Sequence, residues 1–328
     1  MAEPSPGCER PAGPRVPDFF VVGHAKSGTT ALYEMLRQHP QIFMPDLKEP
    51  MFFATDLRPR FQAPHKGLLP VTLENYVSLF AAALPGQLLG EASAFYLFSR
   101  TAAASIAACN PAARVIAIFR EPAAFLCSLH LQHRQDHQES RRSLRKALAL
   151  EADREQGRRV PPRSYCPQLL RYSEQIRYTD QLSRYREVLP PGQILALVYD
   201  DYRGDNAGTL RRVLDFLGVD ASVPLAATEA NPTVAVRSQL LDETVHRVSV
   251  GRDPVSRVVK AGIKAAVPPS ARRRLLGGVQ SKVVHGEPRF VDRRLVAELQ
   301  AWVRPEVERF SHYMDRDLIK LWHYDDAG

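Results

Sequence analysis

Short apolar runs alternate with longer amphipathic stretches along the chain. Phe19-Phe20-Val21-Val22 is the first run and it breaks at Gly23, which predicts a buried strand entering a turn. Ala31, Leu32, Met35 and Leu36 then recur at helical spacing until His39-Pro40 stops them. Ile42-Phe43-Met44 and residues 87–91 read as further short strands. Arg114-Val115-Ile116-Ala117-Ile118-Phe119 is a near-continuous apolar run of the kind that central parallel strands carry, and Ile194 to Tyr199 reads as another. Helices are expected over 73–84 with Thr72 as N-cap, over 101–109, from Pro122 through His130, over 172–189 and over 210–217. This alternation predicts an α/β fold: a mainly parallel sheet flanked by helices, joined by right-handed crossovers, with ligands at the carboxyl ends of the strands.

The remaining segments carry less pattern. Residues 57–72 are loop-like, and the charged stretch 134–159 reads as a solvated helix or mobile loop rather than a nucleic-acid face. Between Arg252 and Arg274 basic residues outnumber acids and alternate with Val255, Val258, Val259 and Ile263. The short apolar face favours a basic lid or exposed helix, and it also allows peripheral membrane contact. Residues 295–322 are expected to pack back onto the domain. Residues 1–17 hold five prolines and little that could pack, so they are read as a disordered N-terminal tail before a single domain spanning 18–328.

Composition narrows this picture only slightly. The chain has 328 residues, 45% hydrophobic and 24% charged, as an ordinary globular protein does. Its formal charge of +8 suits an anionic ligand, although arginine-rich composition alone produces such a value. The four cysteines are widely spaced without a metal-ligand pattern, which points to a reducing, cytoplasmic compartment. No apolar run approaches the roughly 20 residues of a membrane span.

The chemistry concentrates where the first strand ends. Gly23-His24-Ala25-Lys26-Ser27-Gly28-Thr29-Thr30 joins a strand to a helix N-terminus, where unpaired N–H groups and the helix dipole favour an anion. An ATPase phosphate loop needs Lys immediately after its second Gly; here Lys26 precedes Gly28 by two places, so this is a related cradle with a differently placed cation. Arg120, at the end of the strongest apolar run, offers a planar fork suited to phosphate. His24 and His130 read as structural rather than catalytic.

Taken together these segments resemble the sulfotransferases that use 3′-phosphoadenylyl sulfate, in their bacterial and carbohydrate branch. Lys26-Ser27-Gly28-Thr29-Thr30 is similar to their 5′-phosphosulfate loop, Phe119-Arg120-Glu121-Pro122 with Ser128 to their 3′-phosphate motif, and Glu49-Pro50-Met51-Phe52-Phe53 to their Glu-x-x-Phe-Phe segment. Gly90-Glu91-Ala92-Ser93-Ala94-Phe95-Tyr96 and Asp215-Phe216-Leu217-Gly218 sit where the family has similar strings. The resemblance implies the sulfotransferase fold, with a P-loop-like parallel sheet, and sulfuryl transfer to an acceptor hydroxyl on a carbohydrate, lipid or natural product. It implies 3′-phosphoadenylyl sulfate as co-substrate, adenosine 3′,5′-bisphosphate as product, and no metal. Glu49 would be the general base and Lys26 the catalytic cation; Lys26, Ser27, Gly28, Thr29, Thr30, Arg120 and Ser128 would bind the nucleotide. Ala92 stands where heparan-type enzymes have a second catalytic lysine, which leaves Lys48 or no residue for that role. The rival readings are a Mg-ATP-dependent kinase of similar fold and a non-catalytic nucleotide-binding protein.

Overall fold

The computed structural model describes residues 15–57, 69–226, 235–236, 285–286 and 292–325. Five parallel strands form one sheet in the order β2-β3-β1-β4-β5. They are β1 (Phe19–Gly23), β2 (Ile42–Phe43), β3 (Leu88–Ala92), β4 (Arg114–Phe119) and β5 (Ile194–Val198). The central strand β1 pairs with β3 through Phe19↔Gly90 and with β4 through Phe19↔Arg114. Residues 235–236 and 285–286 pair separately as a short antiparallel ladder, β6 and β7.

Both faces of the sheet are covered, as continuous apolar strands require. Alternate residues of each strand enter opposite cores. Phe20, Val22, Val115, Ala117 and Phe119 face one side, packed by α3 (Ala102–Cys109), α4 (Pro122–Gln135), α8 (Tyr178–Arg186) and α11 (Arg293–Tyr313). Phe19, Val21, Ile116 and Ile118 face the other, packed by α1 (Thr29–Leu36), α9 (Tyr199–Gly204) and α10 (Asn206–Leu217). Each fully buried side chain of this size contributes about 1.5–3 kcal/mol.

The helices differ from their sequence-based bounds where local signals were weak. Residues 73–84 give a short helix, α2 (Leu73–Val77), capped by Thr72 Oγ1 accepting from Asn75 N–H, and then a 3-10 turn over Ser78–Phe80. The expected helix 172–189 divides into α7 (Tyr172–Gln175) and α8. The C-terminal stretch forms α11, which contains Pro305, and then α12 (Leu318–Leu321).

The charged stretch 134–159 is not merely solvated. It folds into α5 (Leu144–Leu148) and α6 (Glu151–Glu155), and it buries an ion pair completely. Two guanidinium nitrogens of Arg154 lie 2.7 and 2.8 Å from the two carboxylate oxygens of Glu139, with both side chains fully enclosed. At the N-terminal side, Arg15 already donates to the Leu84 and Gln87 carbonyls and Pro17 O accepts from Asn110. The basic segment 252–274 and residues 281–289, apart from 285–286, lie outside the described residues, and among those described no helix is long and apolar enough to cross a membrane.

Candidate active site at the carboxyl end of the sheet

Three strands deliver the candidate residues to one edge. β1 ends in the Lys26 loop, β4 ends in Arg120, and β3 between β2 and β1 anchors Glu49, whose N–H donates to the Ala92 carbonyl at 3.0 Å.

The loop is shaped by left-handed backbone. Lys26 has φ +66° and Gly28 has φ +87°, and the Ser27 N–H closes the turn on the His24 carbonyl at 3.2 Å. The Ser27 amide is thereby used within the loop. At Gly28 a Cβ would lie 3.0 Å from Tyr202 Cε1, so the space and the φ both call for glycine. Gly28 caps α1 without a side-chain bond, and the first turn of α1 carries no acid, so no side chain of that turn offsets the positive end of the helix dipole. The Ser27 hydroxyl is fully buried and has no hydrogen-bond partner among the described residues.

Arg120 ties the second half of the site to this loop. Its Nη1 donates to the Lys26 carbonyl at 2.8 Å, and its guanidinium lies 5.0 Å from the centre of the Tyr199 ring. Tyr178 Oη donates to the Arg120 carbonyl at 2.9 Å. The next residue, Glu121, spends its carboxylate on capping α4, accepting from Ala123 N–H at 3.0 Å and Ala124 N–H at 2.6 Å. The Ala123 and Ala124 amides at this helix start are therefore satisfied within the protein. Two turns along α4, Ser128 is buried and its hydroxyl, like that of Ser27, has no partner among the described residues.

Glu49 also has left-handed backbone, φ +61°. Its Oε1 lies 2.5 Å from Lys48 Nζ, and its Oε2 accepts from the Ala94 N–H at 2.9 Å. Non-glycine residues held at positive φ cost about 1–3 kcal/mol and cluster at functional sites, and two of the candidate residues share this property. The Lys26 ammonium has its pKa lowered by burial and by Arg120, with the Asp136 carboxylate opposing. Burial, Asp136, Cys166 and Glu49 together raise the Tyr165 phenol. Lys26, Asp136, Tyr165 and Glu49 thus share one electrostatic neighbourhood.

His24 backs the loop as a neutral ring. It stacks on Tyr178 at 4.2 Å between centroids, meets Gln181 Oε1 through Nε2 at 2.8 Å, and is lowered by burial to about 4. Sequence reasoning missed three contacts from the C-terminal segment to this edge. Arg316 grips Asp201 at 2.5 and 2.6 Å, Trp322 Nε1 donates to Asp200 at 2.9 Å, and the Tyr324 hydroxyl donates to Glu121. The acids that follow β5, which could be mistaken for a magnesium-holding pair, are thus engaged by the protein itself.

A five-stranded parallel sheet covered by helices on both faces, with a strand–turn–helix loop and a strand-end arginine at its carboxyl end, defines an α/β protein. The model of the sulfotransferase family matches residues 17–222, more than half of the chain, and the chain belongs to that family. It is similar to mouse heparan sulfate glucosamine 3-O-sulfotransferase 3B1, 28% identical over 209 residues that cover 62% of this chain and 47% of that protein. It is also 28% identical over 231 residues to human heparan sulfate glucosamine 3-O-sulfotransferase 6, covering 66% and 60%. The chain thus spans about half the length of the curated relatives it matches. A sulfotransferase from Alicyclobacillus acidocaldarius has the same fold, with TM-score 0.65 and 24% identity over 94% of this chain and 99% of that one.

Proposed function

We propose that this chain moves a sulfuryl group from 3′-phosphoadenylyl sulfate to an acceptor hydroxyl, releasing adenosine 3′,5′-bisphosphate. One observation carries the reading: two cradles, each with a buried hydroxyl that has no hydrogen-bond partner among the described residues, are joined by the bond from Arg120 to the Lys26 carbonyl. Such hydroxyls are costly to leave unpaired, and a ligand with two separated anionic groups would satisfy both. The amides from Gly28 to Thr30, with Ser27 Oγ and Lys26, would hold the 5′ end; Arg120 and Ser128 would hold the 3′-phosphate.

Bound there, the nucleotide supplies an activated sulfuryl group. Sulfuryl transfer, like phosphoryl transfer, needs alignment and charge stabilisation more than covalent help from the protein. Lys26 places positive charge at the bridging oxygen as the S–O bond breaks. Glu49 accepts the acceptor hydroxyl's proton as that oxygen bonds to sulfur; Lys48 and the Ala94 N–H hold its carboxylate and leave lone pairs free for the proton. Lys48 stands next to the base and fits the role of the cation that Ala92 cannot supply. The names of the relatives favour a carbohydrate hydroxyl as acceptor, ahead of a lipid or natural product. The reading needs no metal, nucleic acid or membrane, and takes residues 18–328 as one catalytic domain. The free thiols of Cys109, Cys127 and Cys166 accord with a reducing, cytoplasmic compartment.

Thermal unfolding with nucleotides tests this. Adenosine 3′,5′-bisphosphate in the presence of EDTA should stabilise the protein by about 2.7 kcal/mol at one hundred times its Kd. Stabilisation by Mg-ATP alone would reject the proposal in favour of a kinase.

A further inference from the structure

Beneath Glu49 lies a second acid that the proposed chemistry does not use. Glu91, in β3, is completely buried. Its Oε2 accepts from the hydroxyls of Tyr76 at 2.5 Å and Tyr96 at 3.0 Å, while Oε1 has no partner among the described residues. A buried carboxyl is expensive to keep, so its retention in an apolar core calls for a reason.

The reason lies in what the two tyrosines hold. A phenol has one hydrogen and can also accept. Tyr96 gives its hydrogen to Glu91, which turns the oxygen toward the Phe53 N–H as an acceptor, at 3.2 Å. Tyr76 stacks on Phe52 with centroids 4.5 Å apart and rings 10° from parallel, and meets Phe53 edge-on at 5.2 Å. The turn after β3 supplies the other holds: Ser93 Oγ accepts from Met51 N–H at 3.2 Å, and Ala94 N–H donates to Glu49 itself. These contacts pin a segment in which Glu49 and Met51 both have positive φ, a conformation that persists only when its surroundings over-determine it.

We infer that Glu91, acting through the hydroxyls of Tyr76 and Tyr96, is a positioning residue that fixes the Glu49–Phe53 segment and so aims the Glu49 carboxylate. This rests on the reading of Glu49 as the base. Removing the Tyr96 hydroxyl leaves the Phe53 N–H without its acceptor, and Glu91→Gln exchanges one carboxyl oxygen for an amide nitrogen that cannot accept from a phenol.

Tyr96→Phe, Glu91→Gln and Glu49→Gln are compared with the wild type by hydrogen exchange, by calorimetric binding of adenosine 3′,5′-bisphosphate, and by its release from 3′-phosphoadenylyl sulfate with desulfated heparan sulfate or water as acceptor. In Tyr96→Phe, the peptide spanning 48–54 should exchange about tenfold faster, as loss of one hydrogen bond implies, while the 24–30 peptide is unchanged. Its kcat should fall about tenfold or more, with the KM for 3′-phosphoadenylyl sulfate and the product affinity within about twofold of wild type. Glu91→Gln should do the same where it folds; Tyr96→Phe removes one oxygen and decides the matter if it does not. Wild-type exchange and kcat in Tyr96→Phe, with Glu49→Gln inactive, would overturn the inference alone. Parallel loss of kcat and nucleotide affinity would also overturn it, as general loosening. Full turnover in Glu49→Gln would remove the base reading and the inference with it.

Discussion

The two halves of the proposed nucleotide site meet at Arg120, and Arg120→Lys tests that meeting while keeping the charge. Two losses are separable. The bond from Arg120 to the Lys26 carbonyl, 2.8 Å long, lies within the protein. Its loss costs about 1 kcal/mol of loop order and should weaken every ligand of the loop alike, roughly fivefold. The second loss is the planar fork itself. A charge-assisted hydrogen bond is worth about 1.5–3 kcal/mol, so one ammonium in place of a two-bond fork forfeits about 2 kcal/mol, roughly thirtyfold, but only for a ligand that bears a 3′-phosphate. Lysine also gives up the guanidinium contact 5.0 Å above the Tyr199 ring, which keeps the fork oriented. Calorimetric titration of wild type and variant with adenosine 3′,5′-bisphosphate and with adenosine 5′-phosphate completes a double cycle. Adenosine 5′-phosphate should weaken roughly fivefold and the bisphosphate about 150-fold. Equal weakening of the two would refute the reasoning and leave Arg120 as a brace for the loop.

Arg154→Met strands the Glu139 carboxylate in a fully enclosed site and should cost about 3–5 kcal/mol, read as a lowered urea midpoint. His24, His130 and His133 are held by burial at about 4, about 4 and about 3. Because the unfolded chain binds protons that the folded chain refuses, stability should fall as pH drops from about 6.5, by up to about 3 kcal/mol for each ring near pH 4; a flat urea midpoint between pH 7 and pH 5 would contradict this. Glu91 has the opposite sign: burial raises it to about 7, partly offset by the hydroxyls of Tyr76 and Tyr96. The folded chain then holds a proton that the unfolded chain releases, so Glu91→Gln should gain stability relative to wild type from about pH 4.5 to about pH 7, by about 3 kcal/mol in total, and a pH-independent difference would count against it.

Local chemistry was what made parts of this molecule legible from sequence. β1, β4 and β5 are continuous apolar runs closed by Gly23, Arg120 and the Asp200–Asp201 pair, and a buried parallel strand leaves just that signature. The turn at Lys26 was readable because Gly23 and Gly28 bracket a polar run between an apolar strand and an apolar helical pattern. What escaped notice depends on distant partners. Glu139 and Arg154 sit in a charged run that looks solvated, and only the tertiary fold closes over them. Asp200 and Asp201 resemble a cation site until Trp322 and Arg316 are seen to occupy them. Glu91 stood in a recognisable string, yet its depth in the core and its hold on Tyr76 and Tyr96 could not be read from its neighbours in sequence. The break between α7 and α8 carries no proline or glycine to announce it.

The central claim is chemical transfer, and it is tested by following labelled sulfate from 3′-phosphoadenylyl sulfate to hydroxylated acceptors, led by desulfated heparan sulfate, in the presence of EDTA. Wild type should transfer sulfate and Glu49→Gln should lose about 10²–10⁴-fold, with affinity for adenosine 3′,5′-bisphosphate unchanged. Phosphate transfer from Mg-ATP in place of sulfate transfer, or equal sulfate transfer by Glu49→Gln, would contradict it.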